Sequence, residues 1–361
     1  MTVTTGMVGH GFYDENSAPQ WSATETVLPW LEDAAASIAD AGQSQPIGIA
    51  DFGCSEGANS IRVIERAVST LRSHTVAPIL TVQSDLPTND FSNLIKSLRP
   101  EEMSVFGEQV YSALVGGSMF GQLLPPRSIH LATTFNAIGF LSRRPVDRLP
   151  GYILPNGPSK QNGVGKVVDA ERKAFAEQAA HDLETFLRVR AAELVPGGKL
   201  LVQVFGASEE ARTCDGIYDV LNDAVLEAVA DGVIDRAEYA TYYQPVYFRT
   251  VEDLTAPVVG ASAPLSGLFV LDRAMHYETP VSFVEAFRSD HDAGAYAKRY
   301  TDFFRAFTEA VLCLAFPSKD PKPFADDIYA RAERLVRRHP ERYPFRYISV
   351  AMLLTRSAAS S

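Results

Sequence analysis

One stretch, residues 47–66, constrains the fold of this chain more than any other. An apolar run, IGIA, leads into Asp51, a turn that contains Gly53 and Gly57 follows, and the amphipathic segment IRVIER comes next. This order predicts a buried strand, a tight loop and a helix. Glycines let the backbone approach a ligand closely, and a helix N-terminus presents free N–H groups. The stretch therefore predicts an α/β domain that binds a small, partly anionic, nucleotide-like cofactor.

The same alternation of strand and helix continues along the first half of the chain. Apolar runs predict strands at residues 78–85, 128–134 and 199–206, and helical spacing of apolar residues predicts helices at residues 21–39 and 171–194. The second of these helices is expected to stop at the segment VPGG, residues 195–198. Alternating strands and helices predict a mostly parallel, doubly wound sheet.

The pattern changes in the second half. Helices are predicted at residues 217–230 and 303–315, and strands at residues 268–277 and 347–355. A late strand pair fits an antiparallel edge added to a parallel sheet, and the intervening helices predict a mainly helical cap. Two Pro- and Gly-rich stretches, residues 152–165 and 242–264, are expected to be long loops. The second carries Phe248, which could line a pocket wall or pack in the core.

Charge and cysteine content narrow the classes of function. The 361 residues include 33 basic and 44 acidic side chains, for a formal net charge of −11. An acidic surface argues against nucleic acid or an anionic membrane as the main partner, since both select basic patches. The three cysteines are widely spaced, so neither a metal site nor a disulfide framework is expected. The sequence shows no signal peptide and no membrane span, which predicts a cytoplasmic enzyme.

Two nucleotide cofactors are compatible with the glycine turn. A dinucleotide fold prefers the spacing Gly-x-Gly-x-x-Gly, but here Ser55 replaces the middle glycine. Asp85 ends the second predicted strand, where a carboxylate can accept hydrogen bonds from two ribose hydroxyls. The segment PGGKL after a long helix, with the late antiparallel strands, favours a class I S-adenosyl-L-methionine (SAM) methyltransferase sheet over a nicotinamide fold. Capping or solvation at strand ends is the alternative role for Asp51 and Asp85.

Four segments carry a closer resemblance. They are FYDENSAPQ at residues 12–20, DFGCSEGANS at residues 51–60, SDLPTNDF at residues 84–91 and GSMFGQLLP at residues 117–125. Together they resemble the motifs of the SABATH family of SAM-dependent methyltransferases. Members of that family methylate carboxyl groups of acids such as salicylate, benzoate and jasmonate, or ring nitrogens in caffeine synthesis. The resemblance covers nearly the whole chain, and abundant alanine and arginine suggest a bacterial member.

The resemblance implies a set of cofactor-binding residues. Those expected at the methionine part of SAM are Tyr13, Ser17, Asp51, Gly53 and Asn59. Those expected around the nucleoside are Asp85, Leu86, Ser118, Met119 and Phe135. Within this set, Asp51 would bind the amino group and Asp85 the ribose hydroxyls.

The resemblance also implies how the acceptor is held, and here the sequence departs from the family pattern. Gln20 matches a residue that would hydrogen-bond the acceptor carboxylate. The family's second tether, a tryptophan N–H, corresponds to Phe140, which has no donor. The family's ring-clamping methionine corresponds to Gly139, so the pocket floor is expected to be opened. Asn136 is expected to supply a replacement donor, and planar salicylate is expected to be a poor substrate.

The predicted function is therefore in-line methyl transfer from SAM to the carboxylate of a small, largely apolar acid, without a general base. N-methylation, hydroxyl O-methylation, and binding without transfer are the alternatives. Residues 1–45 are expected to contribute to the active site. The SAM-binding domain is expected to comprise residues 46–210, 265–280 and 345–358, and the helical cap residues 211–264 and 281–344. The resemblance also implies a homodimer.

Overall fold

The computed structural model describes residues 7–9, 11–40, 46–99, 103–160 and 165–358, and within these residues seven strands form one sheet. The strands are β1 (Ile47–Phe52), β2 (Ile79–Asp85), β3 (Val110–Gly116), β4 (Ile129–Phe135), β5 (Leu194–Phe205), β6 (Phe269–Thr279) and β7 (Tyr347–Arg356). Their order is β3-β2-β1-β4-β5-β7-β6. Strands β1 to β5 are parallel, whereas β7 lies antiparallel between β5 and β6. The predicted doubly wound sheet with an antiparallel edge is confirmed.

Helices cover both faces of the sheet and one of its ends. They are α1 (Phe12–Asn16), α2 (Ala18–Glu25), α3 (Leu28–Asp40), α4 (Ala58–Arg72), α5 (Ser92–Leu98), α6 (Asp169–Glu193), α7 (Ile217–Ala230), α8 (Arg236–Tyr239), α9 (Val251–Thr255), α10 (Ser282–Asp290), α11 (Ala293–Ala315) and α12 (Pro321–Arg338). A short 3-10 turn, Ala137–Gly139, follows β4 directly.

The two faces of β1 show how the sequence directs the packing. All six residues of this strand are buried, as expected for a central parallel strand. Ile47 and Ile49 pack in one core with residues of α3 and α4, whereas Ala50 and Phe52 pack in another with residues of α6. Successive side chains of a strand point to opposite faces, so one apolar run serves both cores. A third core, rich in aromatic rings, joins α7, α11 and α12 into the helical cap.

The structure corrects four details of the sequence prediction. The helix expected at residues 21–39 is two helices, because Pro29 lacks the N–H that a helix interior needs. The segment at residues 195–198 does follow a helix end, but it lies inside β5, where the pairing with β4 is irregular. Strand β3 was not predicted, because it is an edge strand with mostly half-buried residues. The loop expected at residues 242–264 contains α9.

Other boundaries agree closely with the sequence. Helix α7 has the predicted bounds, whereas α11 begins ten residues before the predicted residue 303. The part of the predicted loop at residues 152–165 that the structure describes contains no helix or strand, and residues 161–164 lie outside the described residues. Among the described helices, none combines the length and the apolar character needed to cross a membrane. The boundaries of the three predicted regions stay a prediction.

Candidate functional site

A large cavity opens at the carboxyl ends of β1, β2 and β4. This edge includes the point where the strand order reverses, between β1 and β4, which is where ligands bind in open α/β sheets. The cavity encloses roughly 1130 Å³ of empty space, part of it open to solvent. This size is comparable with the roughly 300–1000 Å³ that is typical of small-molecule sites. A smaller pocket adjoins it and shares Tyr13, Gln20 and Gly53.

The cavity has two chemically different halves. We define the polar half by the residues at or just beyond the ends of β1, β2 and β3: Gly53, Ser55, Ser84, Asp85, Leu86, Gly117, Ser118, Met119 and Phe120. We define the aromatic half by a set drawn from the end of the 3-10 turn, the end of β5, the cap and the start of β7: Phe140, Phe205, Thr213, Ile217, Tyr218, Phe248, Phe303, Phe307 and Tyr347. Gln20 and Asn136 also line the cavity.

The structure places nearly all the sequence-predicted site residues around these two pockets. Ten line the main cavity: Tyr13, Gln20, Gly53, Asp85, Leu86, Ser118, Met119, Phe135, Asn136 and Phe140. Asp51 and Asn59 line the smaller pocket. Ser17 lines neither, but its Oγ accepts a hydrogen bond from Asn59 Nδ2 at 3.2 Å. These residues come from five separate stretches of the chain, so the tertiary fold brings them together.

The turn after β1 is fixed by glycine and by its neighbours. Gly53 has a φ of +92°, and a Cβ atom placed there would lie 2.2 Å from the Cβ of Ala137 in the 3-10 turn. The Gly53 N–H donates to the Ser84 carbonyl at 2.7 Å, which ties the turn to the end of β2. A side chain at position 53 would therefore collide with Ala137 and would also force a left-handed backbone. The backbone here can approach a ligand closely.

Asp85 is held at the end of β2 by backbone donors. Its Oδ2 accepts from the Ser55 N–H and its Oδ1 from the Leu86 N–H, both at 2.7 Å. Burial raises the pKa of this carboxyl, and the two N–H groups oppose that rise. Each carboxylate oxygen has a second lone pair for a ligand hydroxyl. The geometry thus presents a fixed pair of acceptors beside Leu86.

Asp51 lies deeper, at the end of β1. Its side chain is only 3% exposed, and its Oδ1 accepts from Thr133 Oγ1 at 2.7 Å. Burial raises the pKa of Asp51 to about 6, although the hydrogen bond from Thr133 favours the ionised form. A buried carboxylate without a cationic partner is costly, so a ligand ammonium group would relieve this cost.

A second face of the smaller pocket comes from α1 and its connection to α2. Tyr13 lines both pockets, and burial, followed by the nearby carboxyls of Asp14 and Asp85, raises the pKa of its hydroxyl. Ser17 Oγ donates to the Asp14 carbonyl at 3.3 Å while it accepts from Asn59. This chain of hydrogen bonds fixes the N-terminal segment against α4.

The loop after β3 is held in place by two side chains from the last turn of α6. The Arg190 guanidinium, on α6, donates to the carbonyls of Met119 and Gly121, each at 2.9 Å. Glu193 Oε1 accepts from the N–H groups of Leu123 and Leu124 at 2.6 and 2.9 Å. Both side chains are fully buried, and Arg190 Nε lies 2.7 Å from Glu193 Oε2. This ion pair, which sequence reasoning missed, positions the loop that carries Ser118 and Met119.

Gln20 and Asn136 supply side-chain amides to both pockets. Gln20 is 5% exposed, its Oε1 is buried without a hydrogen-bond partner, and its Nε2 donates to no described residue. Asn136 Oδ1 accepts from the Phe205 N–H at 3.2 Å, the Tyr347 hydroxyl at 3.2 Å and Gln203 Nε2 at 3.4 Å. Because its oxygen is saturated, the Asn136 amide can offer a ligand only its Nδ2 donors.

The expected open floor at Gly139 is wrong. Gly139 is buried, and a Cβ atom placed there would lie 2.2 Å from Cζ of Phe205. The Phe205 ring fills the space that a larger residue at position 139 would take. It also packs edge-on against Phe140, with 5.9 Å between the ring centroids. The loss of a side chain on the 3-10 turn is therefore matched by an aromatic ring from β5.

Most of the aromatic half was not identified from the sequence. Phe205, Phe303, Phe307 and Tyr347 carry no motif, and apolar residues in predicted strands and helices are expected in a core. Of the two alternatives for Phe248, the structure shows both: it lines the cavity and packs 4.8 Å from the Phe205 ring. Only the lengths and packing of β5, the cap and β7 bring these rings to one wall.

Comparisons with known proteins identify the family of this chain. Residues 2–357 match the family described as "SAM dependent carboxyl methyltransferase". The chain is 25% identical to a "Probable jasmonic acid carboxyl methyltransferase 1" of Theobroma cacao, with 96% of each chain covered. It is 28% identical to the "Jasmonate O-methyltransferase" of Arabidopsis thaliana, with 86% of each chain covered.

A solved structure supports the fold. "Loganic acid methyltransferase with SAH" superposes with a TM-score of 0.79 at 21% identity, covering 98% of this chain and 99% of the other. The family match spans almost the full length, including the segments around Gly53 and Asp85. The chain therefore belongs to the family of SAM-dependent carboxyl methyltransferases.

Proposed function

We propose that this protein transfers the methyl group of SAM to the carboxylate of a small, largely apolar acid and releases its methyl ester. One observation carries the proposal: the Gln20 amide, whose Oε1 is buried without a hydrogen-bond partner among the described residues, lines a cavity that also holds a polar half suited to SAM and a wall of aromatic rings. An amide N–H donor beside an apolar wall suits an acid with one carboxylate and an apolar body.

The residues of the polar half fit SAM. The close approach at Gly53 leaves no room for a side chain, and the Asp85 carboxylate keeps free lone pairs for a vicinal diol. Asp51 would neutralise the amino group of the methionine part, with Tyr13, Ser17 and Asn59 around it. Leu86, Ser118, Met119 and Phe135 would contact the nucleoside. When bound, SAM supplies a methyl group attached to a sulfonium ion.

The protein's own contribution is to position the acid and exclude water. Carboxylic acids ionise near pH 4, so the acceptor is already a nucleophile at neutral pH and needs no general base. Gln20 Nε2 and Asn136 Nδ2 would hold the carboxylate, and Phe140 would keep water from the reacting oxygen. Holding two reactants in line accounts for much of the rate enhancement in such a reaction.

The cavity also limits which acids can bind. No Arg, Lys or His is among the described residues that line it. A second carboxylate or a phosphate on the acceptor would be buried without a cationic partner, which is strongly unfavourable. We therefore propose monocarboxylic acids, and we expect planar salicylate to be a poor substrate because the Phe140 ring offers no hydrogen-bond donor.

The direct test uses SAM with a labelled methyl group and a panel of monocarboxylic acids. The expected product carries the label in a form that mild base releases, as an ester does. Asp85→Ala serves as the control, because it removes the proposed ribose contact. A label that survives alkaline hydrolysis on nitrogen or on a hydroxyl oxygen would reject carboxyl transfer. SAM binding without transfer to any acid would favour a binding protein instead.

We further propose that the protein is a cytoplasmic homodimer of bacterial origin. The family resemblance supports the dimer, and the abundance of arginine and alanine supports the origin. Light scattering on a size-exclusion column tests the dimer, because a single monomer mass would reject it. We also propose the division into a SAM-binding domain and a helical cap, with residues 1–45 contributing to the active site.

A further inference from the structure

The aromatic half contains few polar groups, and most of them are already hydrogen-bonded. Thr213 Oγ1 donates to the Ile348 carbonyl at 2.6 Å and accepts from the Ile348 N–H at 2.8 Å. The Tyr347 hydroxyl donates to Asn136 Oδ1 at 3.2 Å. These two side chains help to hold β7 in place and offer little to a ligand.

The hydroxyl of Tyr218 is the exception. Tyr218 lies on α7, lines the cavity and is only 2% exposed. Nevertheless, no described residue shares a hydrogen bond with its hydroxyl, and that oxygen is not among the fully enclosed polar atoms. The small accessible area of this residue therefore includes its hydroxyl. By contrast, the hydroxyls of Tyr152, Tyr239 and Tyr243 all have acceptors within 2.7 Å.

Contacts between aromatic rings connect Tyr218 to the Asn136 amide along the cavity wall. Its ring packs edge-on against Phe248 at 5.9 Å, and Phe248 packs against Phe205 at 4.8 Å. The backbone N–H of Phe205 in turn donates to Asn136. Phe248 and Phe205 thus connect the Tyr218 ring with the amide that would hold the carboxylate.

We propose that Tyr218 determines specificity by hydrogen-bonding a neutral oxygen, a hydroxyl or a ketone, at the end of the acceptor remote from its carboxylate. This inference rests on the proposed function. Such a molecule has a carboxylate at one end, an apolar body and one oxygen at the other end. Its carboxylate would accept from the amides of Gln20 and Asn136, and its remote oxygen would pair with the Tyr218 hydroxyl. An acid without that oxygen would leave the Tyr218 hydroxyl buried and unpaired, which disfavours binding.

The remote group must be neutral. Burial raises the pKa of the Tyr218 hydroxyl well above its usual range, so it stays an uncharged donor and acceptor. Among the described residues that line the cavity, no Arg, Lys or His could pair with an anion at this end. The phenol can donate a hydrogen bond to a ketone, and it can either donate to a hydroxyl or accept from it.

The experiment compares pairs of acids with the same chain length, an unsubstituted straight-chain acid and its hydroxy or keto derivative substituted near the far end. The measured quantity is the ratio of kcat/KM for the oxygenated acid to kcat/KM for its unsubstituted partner. We expect the wild type to prefer one of the oxygenated acids, and Tyr218→Phe to lower that ratio about 10-fold, as for a lost hydrogen bond in a buried site. The melting temperature should be unchanged, because Tyr218→Phe removes no hydrogen bond within the described protein.

The matched control is Tyr243→Phe. That tyrosine is also buried, but its hydroxyl donates to the Val146 carbonyl at 2.6 Å and does not line the cavity. Its loss should lower stability and leave the ratio as in the wild type. If unsubstituted acids are preferred throughout, or if Tyr218→Phe leaves the ratio unchanged, the role of Tyr218 is rejected while carboxyl transfer stands. If no acid is methylated although the demethylated cofactor, S-adenosylhomocysteine (SAH), binds, the proposed function itself fails.

Discussion

The polar and aromatic halves of the cavity recognise ligands by different means. The residues of the polar half lie at the ends of three neighbouring strands. The half presents the Asp85 carboxylate, which backbone N–H groups such as that of Ser55 hold in place. The aromatic half is built from side chains between Phe140 and Tyr347, which belong to seven separate elements or loops. Recognition in the first half depends on local backbone geometry, whereas in the second it depends on how distant elements pack.

This difference predicts how each half responds to substitution. A change in the polar half should alter the turn itself and so affect every reaction of the enzyme. A change in the aromatic half should be absorbed by neighbouring rings and mainly alter which acid is accepted.

The largest effect is expected for Gly53→Ala. The new Cβ would lie 2.2 Å from Ala137, and the residue would keep a φ of +92°. Overpacking costs about 1–3 kcal/mol, and a left-handed non-glycine residue costs about 1–2 kcal/mol more. We expect a matching loss in the free energy of unfolding and a decrease in kcat/KM of about 100-fold, because the turn must shift. Urea unfolding and steady-state kinetics measure the two effects.

Gly107→Ala is the matched control for this prediction. Gly107 also has a φ of +92°, but nothing lies within 4 Å of the Cβ that would be added. It should show only the backbone cost and no loss of activity. Equal destabilisation in the two variants would mean that contact with Ala137 does not shape the turn.

Asp51→Asn should separate stability from cofactor binding. With a folded pKa of about 6 and an unfolded pKa near 4, the fold favours the neutral carboxyl, so its stability falls as pH rises between these values. Asparagine avoids this loss while its oxygen can still accept from Thr133. We expect the variant to be more stable than the wild type by up to about 3 kcal/mol at pH 8, with the gain vanishing near pH 4.

The same variant should bind SAH less tightly, because a neutral amide cannot pair with the ligand ammonium. Unfolding curves at pH 4 and pH 8, with calorimetric SAH titrations at pH 8, test both parts. The exposed Asp147→Asn controls for a general charge effect. A variant that is less stable than the wild type at pH 8 would show that the carboxylate of Asp51 is already well compensated in the free protein.

The same contrast explains which residues of each half could be identified from the sequence. Asp85 could be assigned because an acid at the end of a strand, inside a contiguous motif, has the same place in any sheet of this type. Phe205 could not, because its importance comes from its distance to Gly139, which belongs to another element 66 positions earlier. The open floor expected at Gly139 was wrong for this reason. The ring that fills the space comes from β5, and only the register between β4 and β5 brings the two together.

Gln20 lines both pockets, and Gln20→Met removes its amide while it keeps the side-chain volume. We expect kcat/KM for the acid to fall about 10- to 100-fold, as for a lost hydrogen bond to a charged group. The affinity for SAH should change little, since the amide is assigned to the acceptor. Gln122→Met is the control, because Gln122 Nε2 donates to the Leu124 carbonyl and does not line the cavity. A loss of SAH affinity equal to the loss in kcat/KM would assign Gln20 to the cofactor instead.

The smallest effect is expected in the aromatic half, where Gly139→Ala can be combined with Phe205→Leu. The added methyl would lie 2.2 Å from Cζ of Phe205, so the ring must move towards the cavity. We expect Gly139→Ala to cost about 1–2 kcal/mol of stability and to raise KM for the acid with little change in SAH affinity. Leucine at position 205 lacks the colliding ring atoms, so the double variant should recover most of that stability. A double-mutant cycle measures the coupling between the two positions, and additive effects would mean that the Phe205 ring does not replace a side chain at position 139.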